Sequence, residues 1–152
     1  MSGTNFQYAE ITGLVDAQSY FLVANMVSGA SVSVGNLRVF YNGDTTDGNY
    51  NMVFCQINDS TFGGCRNVNT ATVGFMSYYN QKGTLFLTYN CTVSGFTQSS
   101  CYELITYTSN SNCIYSYGEH ERKSTSALSS IRVQGDNASC FASIKLNLYR
   151  IY

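Results

Sequence analysis

The run Leu85-Phe-Leu-Thr-Tyr-Asn-Cys-Thr-Val93 constrains this chain more than any other. Leu85, Leu87, Tyr89, Cys91 and Val93 alternate with Phe86, Thr88, Asn90 and Thr92. A period of two is the pattern of a strand with one buried face, whereas a helix would spread these residues around its axis. The same signal recurs along the chain. Strands are expected at 6–15, 20–27, 31–34, 37–41, 50–57, 73–79, 84–93, 102–108, 113–117, 130–133 and 141–152. The segment 20–27 is the most ambiguous, since Asp16 offers a helix N-cap and Gly29 a helix stop. Its length of eight and its aromatic and β-branched content favour a strand.

Turn chemistry separates these runs. Asn42-Gly43 and Asp47-Gly48 accept positive φ and mark tight reversals, and Gly63-Gly64 predicts another turn. Asn80-Gln-Lys-Gly83 places a glycine where a G1 bulge needs one, so 73–79 and 84–93 read as a hairpin. The charged stretch 119–126 reads as a solvated loop that carries His120. Many short strands with turn signals between them describe an all-β, antiparallel sandwich of jelly-roll-like, Greek-key type, formed by residues 1–152 as a single domain.

Composition narrows the function. Charged residues make up 11% of the chain and the formal net charge is −1. Ser, Thr and Asn together supply 48 residues and Tyr another 13. The eight basic residues are scattered, so no electrostatic footprint for nucleic acid or an anionic membrane is visible. No run reaches the length of a membrane-spanning helix.

Six cysteines suit a disulfide framework in an oxidising compartment. Cys55 and Cys65 have the same spacing as Cys91 and Cys101, and Cys113 and Cys140 complete a local pairing scheme. Spacing alone leaves fifteen pairings open. No Cys-x2-Cys pair favours zinc. Three sequons begin at Asn58, Asn90 and Asn137, which fits a secreted glycoprotein. Met-Ser-Gly-Thr-Asn lacks the basic and apolar regions of a signal peptide, so either a leader has been removed or the protein is intracellular.

Catalysis finds little support. His120 is the sole histidine and is expected in solvent. The nine carboxylates fall mostly in turns. Asp44, Asp47 and Asp59 offer oxygens to calcium, but turn formation explains them equally well. The chain is therefore expected to be non-enzymatic and to need no cofactor or metal. The residues Tyr8, Tyr78, Tyr79, Tyr107, Tyr115, Tyr117 and Tyr152 cannot all be core. Exposed tyrosine beside Asn, Ser and Thr is the chemistry of neutral recognition surfaces. The expectation is an extracellular structural or adhesive subunit that self-assembles or binds a protein through sheet surfaces. The alternative is a lectin-like module for neutral carbohydrate, or a domain of a viral or cell-surface glycoprotein. The last strand, 141–152, is expected either in its own sheet or donated to a neighbour.

Overall fold

The computed structural model describes residues 6–15, 18–58, 61–76, 79–90, 98–107, 113–124 and 126–151, without the side chains of 58, 61–67 and 98. These residues form eleven strands and one short 3-10 turn, Asp47–Asn49. The strands are β1 (Tyr8–Thr12), β2 (Ser19–Ser28), β3 (Gly35–Tyr41), β4 (Tyr50–Asn58), β5 (Thr61–Val68) and β6 (Thr72–Met76). They continue as β7 (Lys82–Asn90), β8 (Gln98–Tyr107), β9 (Cys113–Arg122), β10 (Ser130–Gly135) and β11 (Phe141–Ile151). Two antiparallel sheets result. One has four strands in the order β1-β10-β3-β6, and the other has seven in the order β11-β2-β7-β8-β9-β4-β5.

Alternation decides which side of each strand is buried. In β7, Leu85, Leu87 and Tyr89 are buried while Phe86 and Thr88 are half-buried and Asn90 is exposed. In β2, Tyr20, Leu22, Ala24 and Met26 point the same way. They join Tyr50, Met52, Phe54, Tyr102 and Leu104 from the same sheet. The four-stranded sheet contributes Leu37, Val39, Tyr41, Val73, Met76, Ile131 and Val133 to this same hydrophobic cluster. Each large side chain removed from water contributes roughly 1.5–3 kcal/mol, so the contact between the two inner faces is the main source of stability.

The Asn42-Gly43 turn follows the sequence reading. Both residues take positive φ, 57° and 70°, and the Asp44 N–H donates to the Tyr41 carbonyl at 3.1 Å. The Asn42 side chain does more than turn the chain. Its Oδ1 accepts from the Ser129 N–H at 2.6 Å, and its Nδ2 donates to the Ala127 carbonyl at 2.6 Å. The turn after β3 thereby holds the approach to β10.

Strand β11 lies in its own sheet, in antiparallel register with β2 from Phe141↔Ser28 to Ile151↔Ser19. Ile144, Leu146 and Leu148 stand opposite the inward-facing Met26, Ala24 and Leu22.

Four expectations are corrected. The strand expected at 31–34 does not form. Gly63 and Gly64 lie inside β5 rather than at a turn, because the β4–β5 register reverses between Asn58 and Thr61. The expected β6–β7 hairpin is a crossing between sheets: β6 pairs with β3, whereas β7 pairs with β2 and β8. Gly83 supplies no bulge. It faces inward beneath Met76, whose Sδ would lie 3.1 Å from a Cβ added there, so it is small for packing. The crossing is pinned to β2, where Ser28 exchanges bonds of 2.9 and 2.7 Å with the Gln81 backbone. Lastly, 119–122 continues β9 instead of forming a loop.

Candidate functional site

Continuing β9 through Arg122 buries its polar residues. Glu119 and Glu121 point to the outer side, while His120 and Arg122 point between the sheets. His120, expected in solvent, is 0% exposed. Its ring stacks on Tyr50 at 5.2 Å between centroids and meets Tyr41 edge-on at 5.3 Å. A chain of hydrogen bonds fixes its tautomer. Ser100 Oγ donates to the His120 carbonyl at 3.3 Å, so the Tyr41 hydroxyl donates to Ser100 Oγ at 2.6 Å. Nδ1 of His120 then donates to the Tyr41 oxygen at 3.3 Å. Nε2 is left buried without a hydrogen-bond partner. Burial drives the imidazole pKa down from 6.5 to about 3, and burial likewise pushes the Tyr41 and Tyr102 hydroxyls far above their ordinary range.

A charged layer closes this cluster at one end. Arg122 reaches Asp44 Oδ2 through Nε and Nη2, both at 3.3 Å, and Ser126 Oγ through Nη1 at 2.8 Å. The Tyr50 hydroxyl donates to the Asp44 carbonyl at 2.7 Å. Partial burial opposes the charge on Asp44. Hydrogen bonds from Asn49, the Thr46 N–H and Arg122 outweigh it and hold the carboxyl below its ordinary value. Tyr41, Tyr50 and His120 are all fully buried in this inner cluster, which links the two sheets.

The opposite side of the seven-stranded sheet is open. Phe21 and Tyr149 face outward as a cross-strand pair, with ring centroids 6.3 Å apart, and Phe21 stacks on Phe86 at the same distance. Val53, Tyr117, Tyr149 and Tyr107 are exposed by 41, 37, 56 and 49%. A shallow hollow of about 820 Å³ runs across this side, bounded by Phe21, Phe86, Val53, Cys101, Glu103 and Tyr117. Tyr115 stacks on Tyr117 at 5.5 Å beside it. Aromatic rings and β-branched side chains are natural strand residues, and here several of them stand together on the outward side.

The residues singled out from sequence distribute as follows. Tyr8, Tyr79, Tyr107 and Tyr117 are exposed and Tyr115 is half-buried. Tyr78 and Tyr152 lie outside the described residues. Cys55 stands directly opposite Cys65 across the β4–β5 ladder. The other two local pairings, Cys91–Cys101 and Cys113–Cys140, are not shown: Cys101 is an exposed thiol and Cys140 a buried one. Cys113 opens β9 opposite Tyr107, whereas Cys140 packs beside Gly135 and Val34 in the four-stranded sheet. Cys91 lies outside the described residues. Asn90 and Asn137 are exposed, and Asn58 ends β4. Asp47 receives Thr70 Oγ1 and the Ala71 N–H at 3.2 and 3.1 Å. Glu10 is bound to Arg132 at 2.8 Å. Among the described residues no cluster of three His, Cys, Asp or Glu side chains forms a metal site, and no helix is long and apolar enough to cross a membrane.

Sequence reasoning missed the buried His120 cluster because its inward residues are polar. The available signal was alternation itself: Tyr115, Tyr117, Glu119 and Glu121 continue one face without a break. No protein-family model matches the chain, and no curated protein is significantly similar to it.

Proposed function

We propose that this chain is a non-enzymatic extracellular binding domain, a single jelly-roll-like β-sandwich that recognises a protein surface through the outer face of its seven-stranded sheet. One observation carries the reading: a contiguous band of Phe21, Phe86, Val53, Tyr117 and Tyr149 is left open on that face. Open apolar bands of this kind mark association surfaces, and aromatic residues are enriched where proteins meet. Strand side chains on a rigid sheet offer this area at little entropic cost.

The extracellular setting rests on the sequons and on one cysteine pair. Cys55 and Cys65 are directly opposed in adjacent antiparallel strands, the register in which a bridge would join them. A Cys55–Cys65 bridge would staple β5, the outermost strand, to the sheet. Asn90 and Asn137 are exposed, so sugars there would not disturb the core.

A second reading keeps the same face but gives it a neutral sugar. The stacked Tyr115–Tyr117 pair beside Glu103 supplies a ring platform with hydrogen-bonding groups at its rim. The test is a double variant, Val53→Ser with Tyr117→Ser, compared with wild type by sedimentation velocity and on a glycan array. Loss of association supports the protein-binding reading, and loss of a specific glycan signal from a monomer supports the sugar reading. A variant that matches wild type in both assays refutes this face as the binding surface.

A further inference from the structure

The charges around the open face are not evenly placed. Reading the strand registers outward from β11, Lys145 on β11 and Lys82 on β7 lie toward one corner. Glu119 and Glu121 on β9 lie toward the diagonally opposite corner, and Glu103 on β8 stands directly across from Phe86 between the two. Lys145, Lys82, Glu103 and Glu119 are all exposed. Phe86, Val23 and Ile105 occupy the strip between the two corners. Nothing about ordinary sheet stability demands this separation, since opposite charges gain most when placed directly across from each other.

From this arrangement we infer that the partner on the outer face is a second copy of the same chain, docked about a twofold axis that passes close to Phe86. The inference rests on the protein-binding reading above and names its partner. In a twofold pairing each residue on one side of the axis meets the residue related to it on the other copy. An axis in the plane of the face, perpendicular to this diagonal, places the Lys145 corner of each copy over the Glu119–Glu121 corner of its mate. The same pairing lays the Phe86 strip of one copy on that of the other. The charges thus match in two symmetry-related places, whereas an axis along the diagonal itself would bring like corners together. Extent agrees with this. Seven strands spaced about 4.8 Å apart, each about eight residues long, cover roughly 30 by 25 Å. That is close to the ~800 Å² per partner of an ordinary stable interface. A net charge of −1 leaves little overall repulsion to overcome.

A charge-swap experiment tests the arrangement. Wild type, Lys145→Glu, Glu119→Lys and the double variant are compared by sedimentation equilibrium at low salt, with circular dichroism confirming that each is folded. Wild type should dimerise, and each single variant should dimerise at least tenfold more weakly. The double variant should recover, and so should an equimolar mixture of the two single variants, because both cross-contacts are then attractive. Dimers indifferent to both single changes, but lost in the Val53→Ser, Tyr117→Ser variant, overturn the twofold arrangement and leave the docking face standing. A wild type that stays monomeric to millimolar concentration overturns the second copy as partner. If that monomer also loses a specific glycan signal on Tyr117→Ser, the face survives as a sugar site. If it shows no binding at all, both readings fall.

Discussion

Acidification should weaken this fold through one residue, His120. In the native protein its imidazole is fully enclosed, with Arg122 as the next inward residue on the same strand and Tyr41 and Tyr50 against its ring. Asp44, the carboxylate in the charged layer that closes this cluster, is already engaged by Arg122. Adding a proton therefore places a second cation in the core with no counter-charge. Burial lowers the pKa to about 3 from an ordinary 6.5, so between these values the unfolded chain binds a proton that the native one does not. Stability is then full above pH 6.5 and falls as pH drops, by about 1.4 kcal/mol per pH unit. At pH 5.0 the loss is about 2 kcal/mol, which moves the folded-to-unfolded ratio roughly thirtyfold. Asp44 and Glu10, whose pKa values are lowered, add their own losses at more acidic pH, so the interval from 7.5 to 5.0 isolates the histidine. The assay is urea unfolding followed by far-ultraviolet circular dichroism at the two pH values. His120→Gln should be less stable at pH 7.5 but nearly flat between the two. A wild type that is itself flat, or a variant with the wild-type slope, refutes the reasoning. So does an imidazole resonance titrating near pH 6.5 in the native protein.

Three further outcomes are expected. Gly118→Ala should destabilise by about 3 kcal/mol or more, because a Cβ there runs into the Val53 carbonyl of the adjoining strand; a change in urea midpoint equivalent to less than 1 kcal/mol would contradict the packing. Without reductant, Cys101 should alkylate in the native protein and Cys140 only after unfolding, since the first is exposed and the second buried; peptide mass mapping separates the two, and equal labelling rates would be inconsistent with their placement. Asp44→Ala should cost about 3 kcal/mol, the penalty of leaving a buried cation without its partner, because Arg122 is 8% exposed and leans on Asp44; adding Arg122→Met should recover part of the loss, and a double variant no better than the single one would argue against the pair.

How far the sequence foretold this structure depends on which property is asked of it. The face each residue takes was legible wherever the buried side was apolar, as in Leu85, Leu87 and Tyr89 or in Ile144, Leu146 and Leu148. The Asn42-Gly43 turn was legible from its backbone chemistry. The sheet to which a strand belongs was not. Alternation specifies two faces and is silent about neighbours, so β6 and β7 read as a hairpin although five residues carry the chain from one sheet to the other. The open face was half legible. Surplus tyrosine announced it, but Phe86 and Val53 on the outward side became meaningful only once five strands were laid in order. His120 was hidden for the opposite reason: a charged neighbourhood in sequence is split by the pleat into a wet side and a dry one.

The pairings of β1 with β10 and of β2 with β11 set a schedule for synthesis. About 110 residues separate each early strand from its late mate. At the usual ~5–20 residues per second, β1 and β2 wait roughly 6–22 s for the strands that complete their ladders. During that interval β2 has only β7 to pair with, and β3 and β6 are the only paired strands of the opposing sheet available to the Tyr20–Met26 face. The first quarter of the chain is thus its most exposed part at birth, and a holdase that favours extended apolar segments would find its binding site there.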